Sequence, residues 1–223
     1  MHHTKRKMQK GFTLVELLIV ITILVILGVV VVVLIDPAEI LAQSRDSQRI
    51  SDLAALKGAT QLVLSNALPA TGICYSTNPP ETTTNPDANT YVSFPDVART
   101  TAYVVTATST RQLADGTGWV RANFTGLSSG SALASLPMDP TNTLTSGLYY
   151  RWGCNYNGSK YQYEIDAALE SAKYKPGCTV SGCEDKGALD GGNSNTSPSG
   201  TMANDRYEVG NNLKVLSPTA ALL

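Results

Sequence analysis

Residues 12–35 read FTLVELLIVITILVILGVVVVVLI, an unbroken apolar run holding a single charge, Glu16. As a helix rising 1.5 Å per residue the run spans roughly 36 Å, enough to cross a hydrocarbon core of about 30 Å. Lys5, Arg6, Lys7 and Lys10 precede it with no acid among them, and Asp36 and Glu39 follow it. That asymmetry predicts a membrane span with a cytoplasmic N-terminus and the bulk of the chain outside. A cleavable secretory signal fits poorly, because the run is too long and closes on Leu34-Ile35-Asp36-Pro37 without a small-x-small site. An uncleaved single-span anchor fits the length but leaves Glu16 unexplained. A lone carboxylate at that depth costs roughly 3 kcal/mol on insertion scales, so by default it marks function.

The stretch from Lys10 to Val20, KGFTLVELLIV, resembles the processing site of type IV prepilins and of the pseudopilins of type II secretion. The resemblance covers about a dozen residues. It combines a basic leader, a glycine, a phenylalanine, a placed glutamate and a full span, which makes it specific. It implies that prepilin peptidase, a membrane aspartyl protease, cuts between Gly11 and Phe12. It also implies N-methylation of the new Phe12 amine and a glutamate, Glu16, at the fifth position of the mature chain. The physics agrees: in axially offset helices the Phe12 amine of one subunit can meet Glu16 of its neighbour, so two costly buried charges compensate. Gly11 reads as a protease requirement, since a residue without a side chain lets a catalytic site approach the backbone.

Beyond Ile35 the pattern becomes amphipathic. Ile50, Leu53, Leu56, Thr60, Val63, Leu64 and Ala67 recur at three- and four-residue steps, while Arg45, Asp46, Arg49 and Asp52 are expected on a solvated face. Gly28 and Pro37 are the weak points, and a bend or local melting is predicted between them. Leu68-Pro69-Ala70-Thr71-Gly72 should stop the helix, and 76–90 is a polar loop. Short strands are predicted at Thr90–Phe94, Ala102–Ala107, Trp119–Phe124, Leu148–Trp152 and Tyr161–Ile165, with a hairpin at Asn157-Gly158. Glu164 and Asp166 are expected to point to opposite faces and so not to share a substrate.

The expected fold class is α+β: a long N-terminal helix, half transmembrane and half amphipathic, packed on a small antiparallel sheet. The organisation reads as a cleaved leader (1–11), a transmembrane helix (12–35), its amphipathic continuation (36–67) and an extracytoplasmic β-rich domain (68–223) with a flexible C-terminal loop region.

The whole chain of 223 residues carries a formal net charge of -1, but without the four leader cations 13 Lys and Arg face 18 Asp and Glu. A basic tip on an acidic body argues against nucleic-acid binding, which needs its basic patch on the folded part. Cys74, Cys154, Cys178 and Cys183 all follow the apolar run, which suits disulfides in an oxidising compartment. Of three pairings the favoured one joins Cys178 to Cys183 as a local clasp and Cys74 to Cys154 as a long-range staple. Structural zinc is disfavoured: the only histidines are His2 and His3, and the cysteine spacing is not that of a ribbon. Past the leader there is no histidine for a hydrolytic triad, and no phosphate-binding glycine loop. An enzyme is not expected.

Leu136-Pro137-Met138-Asp139-Pro140, with the strand at Leu148-Tyr149-Tyr150, looks like the loop and strand of major pseudopilins and related pilins. Asp190-Gly191-Gly192-Asn193 and Tyr207-Glu208-Val209-Gly210 are similar to their C-terminal loop, which binds calcium. Asp185, Asp190 and Asp205 could supply oxygen ligands, but no EF-hand spacing is present and a surface loop is the favoured reading, with no cofactor. The reading that results is a structural subunit of a type IV pilus-like filament. Its partners would be further pilin copies, the peptidase, the assembly machinery and the membrane. It would sit in the cytoplasmic membrane as precursor and in an extracellular filament once assembled. The alternatives are a pseudopilin of a secretion or competence system and, from another class, a membrane-anchored binding module.

Overall fold

The computed structural model describes residues 11–66, 73–74, 90–94, 104–105, 109–127, 130–156, 160–175, 182, 184, 206–213 and 215–216. The chain divides into two compact units, Met1–Leu41 and Ala42–Leu223. The fold is α+β, with two helices and a small, mostly antiparallel sheet.

Helix α1 covers Leu14–Ile35, and within it Leu14–Val32 is long and apolar enough to cross a membrane. Its apolar side chains are exposed all round in the single chain, as lipid or partner helices would require. The polar hydroxyl of Thr22 is satisfied within the helix, donating to the Ile19 carbonyl at 2.7 Å. Gly28 lies inside α1 and Pro37 is the first residue of helix α2, Pro37–Ser65. The interruption between the helices falls on Asp36, which adopts a left-handed conformation (φ 44°, ψ 81°). The physical reason is local: the residue before a proline is driven from the α region, and aspartate tolerates the left-handed one. Pro37 then opens α2, where its missing N–H is no loss.

The buried stripe of α2 is Ala42, Asp46, Arg49, Leu53, Leu56, Ala59, Thr60 and Val63. Leu53, Leu56, Thr60 and Val63 fall on the expected stripe; Ile50 and Leu64 are half-buried, and Ala67 lies outside the described residues. The solvated-face reading fails for two of the four charges, while Arg45 and Asp52 remain half-exposed. Asp46 and Arg49 are fully buried and continue the apolar stripe toward the N-terminal end of α2.

Among the described residues five strands follow: β1 (Tyr91–Val92), β2 (Val104–Val105), β3 (Tyr150–Tyr156), β4 (Tyr161–Ala167) and β5 (Tyr207–Gly210), in the order β2-β1-β3-β4-β5. The β2–β1 pair is parallel and the other pairs are antiparallel. The β3–β4 register runs from Tyr150↔Ala167 to Tyr156↔Tyr161, flanking the hairpin dipeptide, which itself lies outside the described residues. Alternation gives the sheet two faces. Tyr150, Trp152, Tyr163, Ile165, Ala167 and Val209 join Leu53, Leu56 and Val63 of α2 in the main core. Trp152 stacks on Tyr163 with ring centroids 5.5 Å apart.

Two expectations need correction. Trp119–Phe124 is not a strand but a folded loop making only single bridges, Ala122 to Ile73 and Asn123 to Asp115. Val120, Ala122 and Phe124 are buried and Arg121 and Asn123 half-buried, so the burial alternates as the sequence does, but among the described residues the segment has no ladder partner on either side beyond those bridges. Its backbone is satisfied locally: the Trp119 N–H donates to the Arg111 carbonyl and the Phe124 N–H to that of Ala114. Conversely, Tyr207–Gly210, read as part of a loop, is strand β5.

Arg49 anchors α2 to two later segments. Its Nε and Nη2 form a fork on Asp139 (2.7 and 3.0 Å), Nη1 reaches Asp46 and Glu170 (both 2.7 Å), and Nη2 also meets Thr141. Asp46 in turn accepts the backbone N–H groups of Glu170 and Ser171, and Asp139 those of Thr141 and Asn142. Burial opposes the Arg49 charge, but the bonds to Asp139, Glu170 and Asp46 outweigh it and raise its pKa. Glu170 is held below the usual carboxylate range, foremost by its bond from Arg45. Burial raises Asp52, with its bond from the Tyr150 hydroxyl (2.8 Å) only partly offsetting it.

Arg49→Ala leaves Asp46 and Asp139 buried without their counter-charge and is expected to destabilise the folded unit by about 3–5 kcal/mol. Arg45→Ala, which removes an exposed partner of Glu170, should cost far less, because solvent screens that pair. Urea unfolding of the purified variants followed by tryptophan fluorescence checks the contrast; equal losses would contradict it.

Candidate functional site

Gly11, Phe12 and Thr13 precede α1 in non-helical conformation. Among the described residues beyond its chain neighbours, none comes within 4 Å of where a side chain on Gly11 would begin. Phe12 is 84% exposed.

Thr13 is the N-cap of α1, in an extended conformation (φ -81°, ψ 152°). Its N–H and its hydroxyl both donate to Glu16 Oε2 at 2.8 Å, and the Glu16 N–H donates back to Thr13 Oγ1 at 3.3 Å. This is a capping box, which satisfies helix-start donors that would otherwise be orphaned in an apolar medium. The sequence reading singled out Glu16 but missed Thr13. The T-x-x-E spacing ahead of an apolar run was the available signal. Every atom of the box lies on the C-terminal side of the Gly11–Phe12 bond, so a cut there would leave the box whole and place a free amine one residue before the cap.

Cys74 and Cys154 form a disulfide with Cα atoms 5.5 Å apart. It ties a residue in left-handed conformation (Cys74, φ 61°) to the centre of β3. Cys178 and Cys183 lie outside the described residues, as do Asp185, Asp190 and Asp205. Among the described residues no group of three His, Cys, Asp or Glu side chains is placed to hold a metal ion.

Glu164 and Asp166 do not point apart. Residues two apart on a strand share a face, and both belong to the face of β4 turned away from α2. Asp166 is fully buried and bound by Arg151 (2.8 and 2.9 Å) and by Arg206. Burial works against its charge, but those two guanidiniums hold its pKa low. Arg206 also donates to the Gly147 and Tyr149 carbonyls and lies over the Tyr149 ring. These are structural ties rather than a cleft.

Residues 6–33 match the family model described as the prokaryotic N-terminal methylation motif. The chain thus carries the prepilin-type cleavage and methylation segment of type IV pilins and pseudopilins. Comparison of the chain with curated proteins and with solved structures returns no match.

Reduction of the Cys74–Cys154 bond, which spans 80 residues of sequence, should lower stability by about 4 kcal/mol on the chain-entropy account. Urea midpoints with and without dithiothreitol measure it, and a Cys74→Ser/Cys154→Ser variant should behave like the reduced protein.

Proposed function

We propose that the chain is a structural subunit of a type IV pilus-like filament, cut between Gly11 and Phe12 by a prepilin peptidase and N-methylated on Phe12. The observation that carries this reading is Glu16, the one charge in an exposed apolar helix, inside a matched prepilin segment. A fully apolar helix has no use for a carboxylate unless a counter-charge arrives from outside the chain. The amine created at Phe12 of a neighbouring subunit is such a counter-charge.

In the single chain the Glu16 carboxylate is held by neutral donors of its own Thr13. A neighbour's ammonium adds the full counter-charge that the neutral donors of Thr13 do not supply. Exchange of partners therefore favours the assembled state, and the offset between subunits is set by where the two groups meet. The apolar surface of α1 supplies non-directional adhesion around that one directional contact.

The same segment serves pseudopilins, so the reading extends to a secretion or competence pseudopilus. Fluorescence or negative-stain microscopy of surface filaments in cells with either system deleted separates the two.

Protein recovered from membranes of a host with active prepilin peptidase is expected to lack Met1–Gly11 and to carry about 14 Da extra on Phe12. Intact-mass spectrometry reads both changes, and a chain still beginning at Met1 would sink the proposal. Glu16→Ala should insert at least as well as wild type. It leaves the partner amine uncompensated inside the bundle, so sheared-filament yield should fall to background. Normal filaments from that variant would exclude the charge-pairing mechanism.

A further inference from the structure

Two neighbouring turns in the 109–127 segment are built alike. Asp115 Oδ1 accepts the N–H (2.9 Å) and the hydroxyl (2.6 Å) of Thr117. Asn123 Oδ1 accepts the same two groups of Thr125, at 2.9 and 2.8 Å. Residues 115 and 123 face one another in an antiparallel bridge. Each turn needs one side-chain oxygen and is complete within three residues. A carboxylate at 123 would set two like charges across the bridge, whereas a serine would close such a turn without charge. Asparagine brings something that neither turn uses, an NH2 group.

The orientation of that group is fixed. The Thr125 backbone N–H can only donate, so the atom it meets is the amide oxygen, and Asn123 Nδ2 is turned away from it. Among the described residues Nδ2 meets no acceptor, and it is not a buried atom, so it reaches solvent. Thr125 and Gly126 are exposed, while Phe124 is fully buried.

Asn123-Phe124-Thr125 has the N-x-T pattern of an acceptor for N-linked sugar. We propose that Asn123 is a modification site, taking an N-linked oligosaccharide from a polyprenyl-diphosphate-linked donor at the outer face of the membrane. In the transfer the bond from Nδ2 to the sugar C1 forms as the C1–O bond to the diphosphate breaks. The polyprenyl diphosphate leaves with the electron pair, and one Nδ2 proton passes to a base of the transferase. The two Thr125 donors on Oδ1 draw electron density from the amide and make that proton easier to lose. Because the turn spans only residues 123–125, it can form before the chain has folded. That order matters, since Phe124 later enters the core and locks the loop. Once folded, the loop carries the sugar where Nδ2 meets water. The site rests on the filament reading only for its placement outside the membrane. The other N-x-S/T matches, at Asn157 and Asn195, lie outside the described residues.

The test is expression of the full chain with a prepilin peptidase, in a host whose transferase reads N-x-S/T alone and whose lipid-linked glycan has a known mass. Glycopeptide mass spectrometry should find that glycan on Asn123 in the wild type and in Thr125→Ser. It should find none there in Thr125→Val or in Asn123→Ser, which keeps an oxygen for the turn. An unoccupied Asn123 in cells that modify a control acceptor overturns the proposal, as does a glycan on Asn123 that survives Thr125→Val. Intact mass of the same sample reads loss of Met1–Gly11 separately. Protein that is cut but bare at Asn123 overturns this site alone, and protein that is glycosylated there but still begins at Met1 overturns the filament reading alone.

Discussion

Arg49 enters a dry interior on α2 and is kept there by three carboxylates from three places in the chain: Asp46, Asp139 and Glu170. An ion inside a protein is tolerable only when every lone pair and proton around it is used. Here the accounting extends to the backbone, since Asp46 and Asp139 take up the free N–H groups of the 170–171 and 141–142 turns. Those turns have no regular ladder to satisfy them. The charged cluster thus does for the loops what hydrogen-bonded pairing does for the strands. It also fixes which turn of α2 faces which loop, a decision that interchangeable apolar side chains make less sharply.

The sheet is two-sided in an unusual sense. One face is the ordinary core of Tyr150, Trp152, Tyr163 and Ile165 against Leu53, Leu56 and Val63. The other also avoids water, but it does so with charges: Arg151, Asp166, Arg206, Glu164 and Glu208 are all buried. Glycine at 153 and again at 210 allows chain to lie close; a Cβ at Gly210 would run into the Tyr163 carbonyl. Buried apolar residues, Val92, Tyr149, Val215 and Leu216, lie beside those charges on the same side.

At the N-terminus the same logic appears on a smaller scale. A helix beginning in an apolar medium has N–H groups that nothing around it can satisfy, and Thr13 with Glu16 answers that need inside one chain.

The sequence alone determined whatever depends on near neighbours along the chain. The apolar span at 12–35, a break somewhere between Gly28 and Pro37, the stripe holding Leu53, Leu56 and Val63, two strands at the sites of β3 and β4, and the matched prepilin segment are all local patterns of period, proline or motif. Tertiary structure decided what depends on partners far away in sequence. Asp46 and Arg49 read as a wet face because nothing nearby announces Asp139, some 90 residues later, as the partner that makes burial bearable. Trp119–Phe124 has the composition and the alternation of a strand, yet its Trp119 and Phe124 N–H groups bond to carbonyls of the preceding loop, at Arg111 and Ala114, instead of to a neighbouring strand. The four residues of β5 are too few to signal a strand, and they become one because the open edge of β4 offers them hydrogen bonds. Burial and pairing are properties of what folds over a residue, and the residue's own neighbourhood in the chain does not contain them.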